Sequence, residues 1–174
     1  MYEAFYEMKR TPFVRDVPAE SLYESPAMAD ALGRLSYAAD RQLFAVVTAD
    51  SGCGKSTLLR RFKETMPKDD YIILYLSDSK LTPRWFYKGL LDQLGIESRF
   101  YRGDAKRQLQ KEVEIIRGVQ NKKVICILDE AHLLEKETIE EFRFLLNYRY
   151  DSMSPMALIL AGQSELWDKL RLQR

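Results

Sequence analysis

The sequence predicts an α/β fold: a parallel sheet with helices on both faces. Three observations predict it. Short apolar runs rich in β-branched residues recur at residues 43–48, 71–76, 124–128 and 156–160. Stretches with the apolar spacing of helices lie between them. Small, polar or acidic clusters follow the runs directly, at the strand ends where parallel sheets bind ligands. Strand–helix alternation of this kind implies right-handed crossovers and buries the strands between helical layers.

Composition agrees and narrows the classes. The chain has 174 residues, 46% of them hydrophobic and 30% charged, which suits one domain with a substantial core and excludes a disordered or fibrous chain. The apolar runs are too short to span a bilayer. The N-terminus, MYEAFYEMKR, has no apolar core of a secretory signal. Two cysteines, Cys53 and Cys126, form no disulfide framework and suit a reducing, cytoplasmic setting. With one histidine they are too few for a structural zinc site. A net charge of +1 excludes a uniformly basic surface but not a local basic patch.

The elements follow in order. Residues 1–20 read as an irregular strap, with Pro12 and Pro18 opposing helix, ahead of a core over 21–174. Ser21 or Ser25 caps a helix to about Asp40, with Leu22, Met28, Leu32 and Leu35 near one face. The 43–48 strand leads through a small-residue loop into a helix over 55–66, stopped by Pro67. After the 71–76 strand, Thr82 and Pro83 are an N-cap and first-position pair, and Gly95 lies just past that helix. Asp104 is placed to cap a helix to about Asn121. A helix over 137–150 presents Ile139, Phe142, Leu145 and Leu146 on one face, and Ser164 opens a last helix.

The strongest chemical signal is Ala49-Asp50-Ser51-Gly52-Cys53-Gly54-Lys55-Ser56-Thr57. It fits the phosphate-loop pattern G-x-x-x-x-G-K-[ST], except that Ala49 replaces the first glycine, and it stands between a predicted strand and a predicted helix. Gly52 and Gly54 let successive N–H groups turn inward, and with the helix N-terminus they cradle phosphates. Lys55 adds a positive charge at the β- and γ-phosphates, and the Ser56 hydroxyl is placed for Mg²⁺. Cys53 reads as a small filler.

Asp129 and Glu130 follow the apolar run 124–128. After a phosphate loop, such a pair supplies an acid for Mg²⁺, Asp129, and one that polarises the attacking water, Glu130. His132 reads as a structural hydrogen-bonder. The fourth strand exits into Gln163, whose position between the first and third strand tips puts it in reach of the γ-phosphate or the water; an ordinary turn with an N-cap at Ser164 explains the same residues.

The chain resembles AAA+ ATPases of the bacterial group that joins the general secretion ATPase ExeA to the transposition helper ATPases of the TniB, TnsC and MuB type. The resemblance rests on Pro12-Phe13, ADSGCGKSTLLRRF, LSDSKLTPRWFYKGLLDQLG, ILDEAHLLEKETIEEFRFLLNYRYD and LILAGQSELWDKL, which cover nearly the whole chain in order. It implies a P-loop NTPase three-layer sandwich with an AAA+ core, ATP rather than GTP, and nucleotide held by residues 50–57. It further implies Asp129 and Glu130 as the Mg²⁺ and water-activating acids, and Gln163 at the first sensor position. Members assemble as rings or filaments in which a neighbour's arginine completes the site; Arg171 and Arg174 lie near that region. The family continues into a helical lid, and because this sequence stops at Arg174 the expectation is a core that lacks the lid.

By the same resemblance, the function is regulation of DNA transposition, with double-stranded DNA and a transposase as partners. Basic candidates for DNA are Lys80 and Arg84, and a second set, Arg99, Arg102, Lys106 and Arg107, interleaved with Phe100 and Tyr101; a solvated face with an aromatic staple onto the core explains the same residues. Arg60, Arg61 and Lys63 read as a solvated face. Phe5, Tyr6, Pro12 and Phe13 are candidates for an adenine pocket or for simple packing. Three alternatives remain at this level: a secretion-pathway ATPase, a nucleotide-gated interaction module without turnover, and a small-molecule kinase.

Overall fold

A computed structural model describes residues 2–9, 11, 14, 17–78, 81–146 and 154–171. Pro12, Phe13, Lys80, Arg174 and residues 147–150 of the expected 137–150 helix lie outside the described residues. The 1–20 strap is less irregular than expected: Tyr2–Phe5 form a short helix, α1, and Ala19–Ser21 a 3₁₀ turn. Both prolines of the strap lie after the α1 turn, so neither opposes it.

Ser25, not Ser21, starts the first long helix. Its hydroxyl accepts the Met28 N–H and Pro26 takes the first helical position, giving α2, Pro26–Asp40. The phosphate-loop glycines then lead from β1 (Phe44–Thr48) into α3 (Lys55–Thr65). Strand β2 is Tyr71–Leu76, and α4, Pro83–Gln93, is capped by Thr82 as expected. Helix α5, Arg102–Gly118, begins two residues before Asp104. Asp104 is therefore no cap; it sits in the first turn, where it suits the helix dipole and pairs with Arg107 at 2.6 Å. Strand β3, Lys123–Leu128, is followed by a 3₁₀ turn, Ala131–Leu133, then α6 (Lys136–Leu146), β4 (Ala157–Gly162) and α7 (Glu165–Arg171).

The four strands are parallel in the order β1-β4-β3-β2. Alternation along the strands feeds two cores. On one face Leu74, Cys126, Leu128, Leu158 and Leu160 meet α4, α5 and α6. On the other Ile125, Ile127, Ile159 and Ala161 meet Leu35 of α2 and Leu59 and Phe62 of α3. This is the three-layer sandwich the sequence predicts. The expectation that residues 43–48 and 71–76 are fully buried strands does not hold: β1 and β2 occupy the two edges and are largely half-exposed, whereas β4 is buried throughout. Only the two central strands have neighbours on both sides. Among the described residues no helix is long and apolar enough to cross a membrane.

A polar cluster lies under the α4–α5–α6 layer. The fully buried Tyr87 donates its hydroxyl to Glu141 at 2.6 Å, and Lys106 reaches the same carboxylate oxygen at 3.2 Å. Burial pushes the Glu141 carboxyl upward, but the Tyr87 and Lys106 hydrogen bonds and the charges of Lys106 and Arg102 outweigh it and leave the group below its ordinary range. A carboxyl held low in the folded state stabilises fully above its unfolded pKa of about 4.3 and loses that contribution as pH falls through the folded value. Glu141→Ala should lower the unfolding free energy by about 2–3 kcal/mol at pH 7, since it leaves the buried Tyr87 hydroxyl unpaired. Denaturant titrations should find the gap between parent and variant shrinking below pH 4; a gap independent of pH would contradict the assignment.

Candidate nucleotide site

The loop after β1 is stitched to the end of β4: the Ala49 N–H donates to the Gly162 carbonyl at 3.2 Å. Within the loop, Cys53 N–H donates to the Asp50 carbonyl at 3.2 Å, closing a turn. Gly52 and Gly54 have φ of 82° and 84°, a left-handed backbone that a side chain would strain. Ala49 is not left-handed, so alanine is accommodated where the motif has glycine. Gly54 is the N-cap of α3 and, unlike Ser25 and Thr82, brings no side chain to cap it. The first N–H groups of α3 have no partner within the helix, and Lys55 and Ser56 are its first two residues. Cys53 is exposed in this loop, whereas Cys126 is buried in β3, which pushes its thiol well up.

The acidic pair follows β3. Asp129 is only 6% exposed. Its N–H donates to the Leu76 carbonyl, and both carboxylate oxygens accept a bond: Oδ1 from the Glu130 N–H and Oδ2 from the Tyr75 hydroxyl, each at 2.8 Å. Burial, then the bond to Asp129, pushes the Tyr75 phenol up to about 12. Glu130 has φ of 53°, strained for a non-glycine residue, and its side chain stays 41% exposed. Tyr75 and Ser56 both line one groove of about 550 Å³, together with Leu59, Arg60 and Lys63 of α3.

Gln163 follows β4, whose last residues pair with Thr48 of β1 on one side and, two positions back, with Leu128 of β3 on the other. Its N–H donates to Nδ1 of the buried His132 at 3.2 Å, and the Ser164 hydroxyl donates to Asp50 Oδ1 at 2.9 Å. His132 is thus the structural hydrogen-bonder the sequence suggests. A Cβ at Gly162 would stand 3.0 Å from the His132 backbone nitrogen, a tight contact that favours glycine at this approach. Lys169 of α7 donates to the His132 and Leu134 carbonyls and fixes the 3₁₀ turn. The phosphate loop, the acidic pair and Gln163 therefore lie at one edge of the sheet. The fit to a nucleotide and Mg²⁺ rests on the uncapped N-terminus of α3, the left-handed glycines, the Ser56 hydroxyl and the preset Asp129 carboxylate.

Sequence reasoning missed Tyr75 and Gly162, and it read Ser164 only as a cap and not as the partner of Asp50. A phenol one residue before the end of an apolar strand was the one available signal for Tyr75; the others act through partners distant in sequence. The basic candidates are largely engaged. Arg102 pairs with Glu137 at 3.1 Å, Lys106 with Glu141, Arg107 with Asp104, and the Arg84 guanidinium lies 4.1 Å from the Phe100 ring centre. Arg171 ends α7 and is exposed. Phe5 and Tyr6 stack edge to face, 79% and 65% exposed, and form no closed adenine wall. Nor is the 60–63 face merely solvated: Arg61 binds the Leu22 carbonyl and Glu24, and Lys63 covers the Tyr75 ring.

Comparisons with known proteins bear on the family and the fold. The model of the AAA domain family matches residues 38–170. General secretion pathway protein A of Aeromonas hydrophila is 28% identical over 98% of this chain and 31% of its own length. Among solved structures, Cdc6p of Pyrobaculum aerophilum superposes with a TM-score of 0.66 at 18% identity, covering 89% of this chain and 43% of that one. The ORC2 protein of Aeropyrum pernix, solved as ADPNP-ADP complexes, gives 0.56 at 16% identity over 98% and 47%. The chain thus spans about a third of the curated relative and under half of either solved chain. With the family model matching most of its length and the fold shared with these structures, the chain belongs to the AAA domain family.

Proposed function

We propose that this chain binds ATP with Mg²⁺ at the sheet edge and hydrolyses it by in-line attack of water on the γ-phosphate. The observation that carries this is the convergence of the phosphate loop, the buried Asp129 and Gln163 on one edge through β4. In this mechanism the loop N–H groups and Lys55 hold the phosphate oxygens. Ser56 and Asp129 would hold Mg²⁺, which when bound neutralises charge on the β- and γ-phosphates. Glu130, half-exposed beside the preset acid, takes up the proton of the attacking water. Gln163 orients that water or reads the γ-phosphate, and its backbone N–H is already held by His132.

As the setting we propose regulation of DNA transposition in the cytoplasm: the ATP-bound protein self-associates, binds duplex DNA and recruits or activates a transposase. Support for it comes from the family resemblance of the motifs and their order along the chain. A second setting, the general secretion pathway, is favoured by the 28% identity to General secretion pathway protein A along nearly the whole chain.

Lys55→Ala should weaken ATP binding at least about thirtyfold, roughly 2 kcal/mol, as read by calorimetry. Unchanged affinity would remove the basis of the assignment. Glu130→Gln should lower turnover by about 10²–10⁴-fold while ATP affinity stays within about threefold. Duplex DNA should raise the turnover of the parent, with a stimulation that weakens steeply with salt; ATP turnover indifferent to DNA at low salt would favour the secretion setting.

A further inference from the structure

Tyr75 is held more firmly than a residue on an edge strand needs to be. Its N–H and carbonyl, which at a sheet edge would face solvent, are both taken by the side-chain amide of Gln93 of α4: Tyr75 N–H donates to Oε1 at 2.9 Å and Nε2 donates to the Tyr75 carbonyl at 2.8 Å. The Lys63 ammonium of α3 lies 4.5 Å from the centre of the ring. The hydroxyl ends 2.8 Å from Asp129 Oδ2, while Oδ1 is already held by the Glu130 N–H. α4 thus holds the Tyr75 backbone and α3 covers its ring, and the hydroxyl in turn fixes the rotation of one buried carboxylate. Each carboxylate oxygen carries two lone pairs, so these bonds leave one on each oxygen for a further ligand.

We infer that Tyr75 is a positioning residue for Mg²⁺: it sets the Asp129 carboxylate in the orientation that receives the ion, and Gln93 sets Tyr75. The inference rests on the nucleotide-site assignment above and adds to it a partner outside the loop and the acidic pair. Partners that orient a metal ligand typically alter metal affinity by 10- to 100-fold. Loss of the hydroxyl would leave Oδ2 without the bond that fixes its rotation, while Oδ1 keeps the Glu130 N–H.

The test is the binding of the non-hydrolysed analogue AMP-PNP, followed by calorimetry in EDTA and across a Mg²⁺ series. For Tyr75→Phe the affinity in EDTA should stay within about twofold of the parent, while the Mg²⁺ concentration for half-maximal enhancement rises about tenfold. Gln93→Ala, a change at an exposed helix end, should shift the same midpoint in the same direction by about threefold. Equal Mg²⁺ midpoints in parent and both variants would overturn the role. So would a loss of affinity equal in EDTA and in Mg²⁺, which marks general damage to the site. A parent whose affinity for AMP-PNP is indifferent to Mg²⁺ would overturn the underlying site assignment instead.

Discussion

Strand β4 is the constraint on which the rest depends. It pairs in parallel with β1 on one side and β3 on the other, and every residue of it is buried. Parallel pairing brings the C-terminal ends of all the strands to the same edge of the sheet, so the loop after β1, the acids after β3 and Gln163 after β4 have no choice but to be neighbours. The pairing of Thr48 with Gly162 and the bond from Ala49 to Gly162 carry the register into the phosphate loop itself. Gly162 accompanies that closeness, since a side chain there would crowd the turn that follows β3.

Polar groups at this edge are satisfied before any ligand arrives. Asp129 accepts on both oxygens and His132 accepts at Nδ1 while its carbonyl receives Lys169. Such prior satisfaction is what allows a carboxylate and an imidazole to stand nearly buried beside a core without large destabilisation. The N-terminus of α3 is the exception. Its donors have no side-chain cap and the loop that precedes it turns through two left-handed glycines, so a negative charge is favoured there. Local strain at Glu130 lies in the same place, where a φ of 53° lifts the backbone out of the strand direction immediately after the buried acid.

The cations of the α4–α5 region show how charge counted along a chain differs from charge presented by a surface. Arg102 and Lys106 converge on Glu141, with Arg102 also reaching Glu137, and Arg107 is matched by Asp104. Much of that basic cluster therefore braces the helical layer that packs over the sheet. A phosphate backbone approaching this face would compete with carboxylates already in place, which makes salt dependence and affinity there a matter of exchange between partners.

Local chemistry made the elements legible in the sequence. Ser25 and Thr82 with the prolines after them begin helices because their hydroxyls meet orphan N–H groups within three residues, and Gly52 and Gly54 mark left-handed turns because only glycine takes them without strain. The phosphate loop and the acidic pair were legible for the same reason: their atoms act within a few residues of one another. Strand order was not, so residues 43–48 and 71–76 read as buried although they form the edges. Asp104 read as a cap because its type suits one, yet Tyr101 takes that position and the aspartate sits inside the first turn. Tyr75 and Asp129, 54 residues apart, meet only because β2 and β3 lie side by side. The sequence by itself determined which segments become helix and strand and where the glycine loop and the acidic pair fall along the chain, since those depend on short-range bonding. Only the tertiary structure decided which strands are edges, which cations are already paired and which phenol holds the buried acid, because those are contacts between residues that the chain keeps far apart.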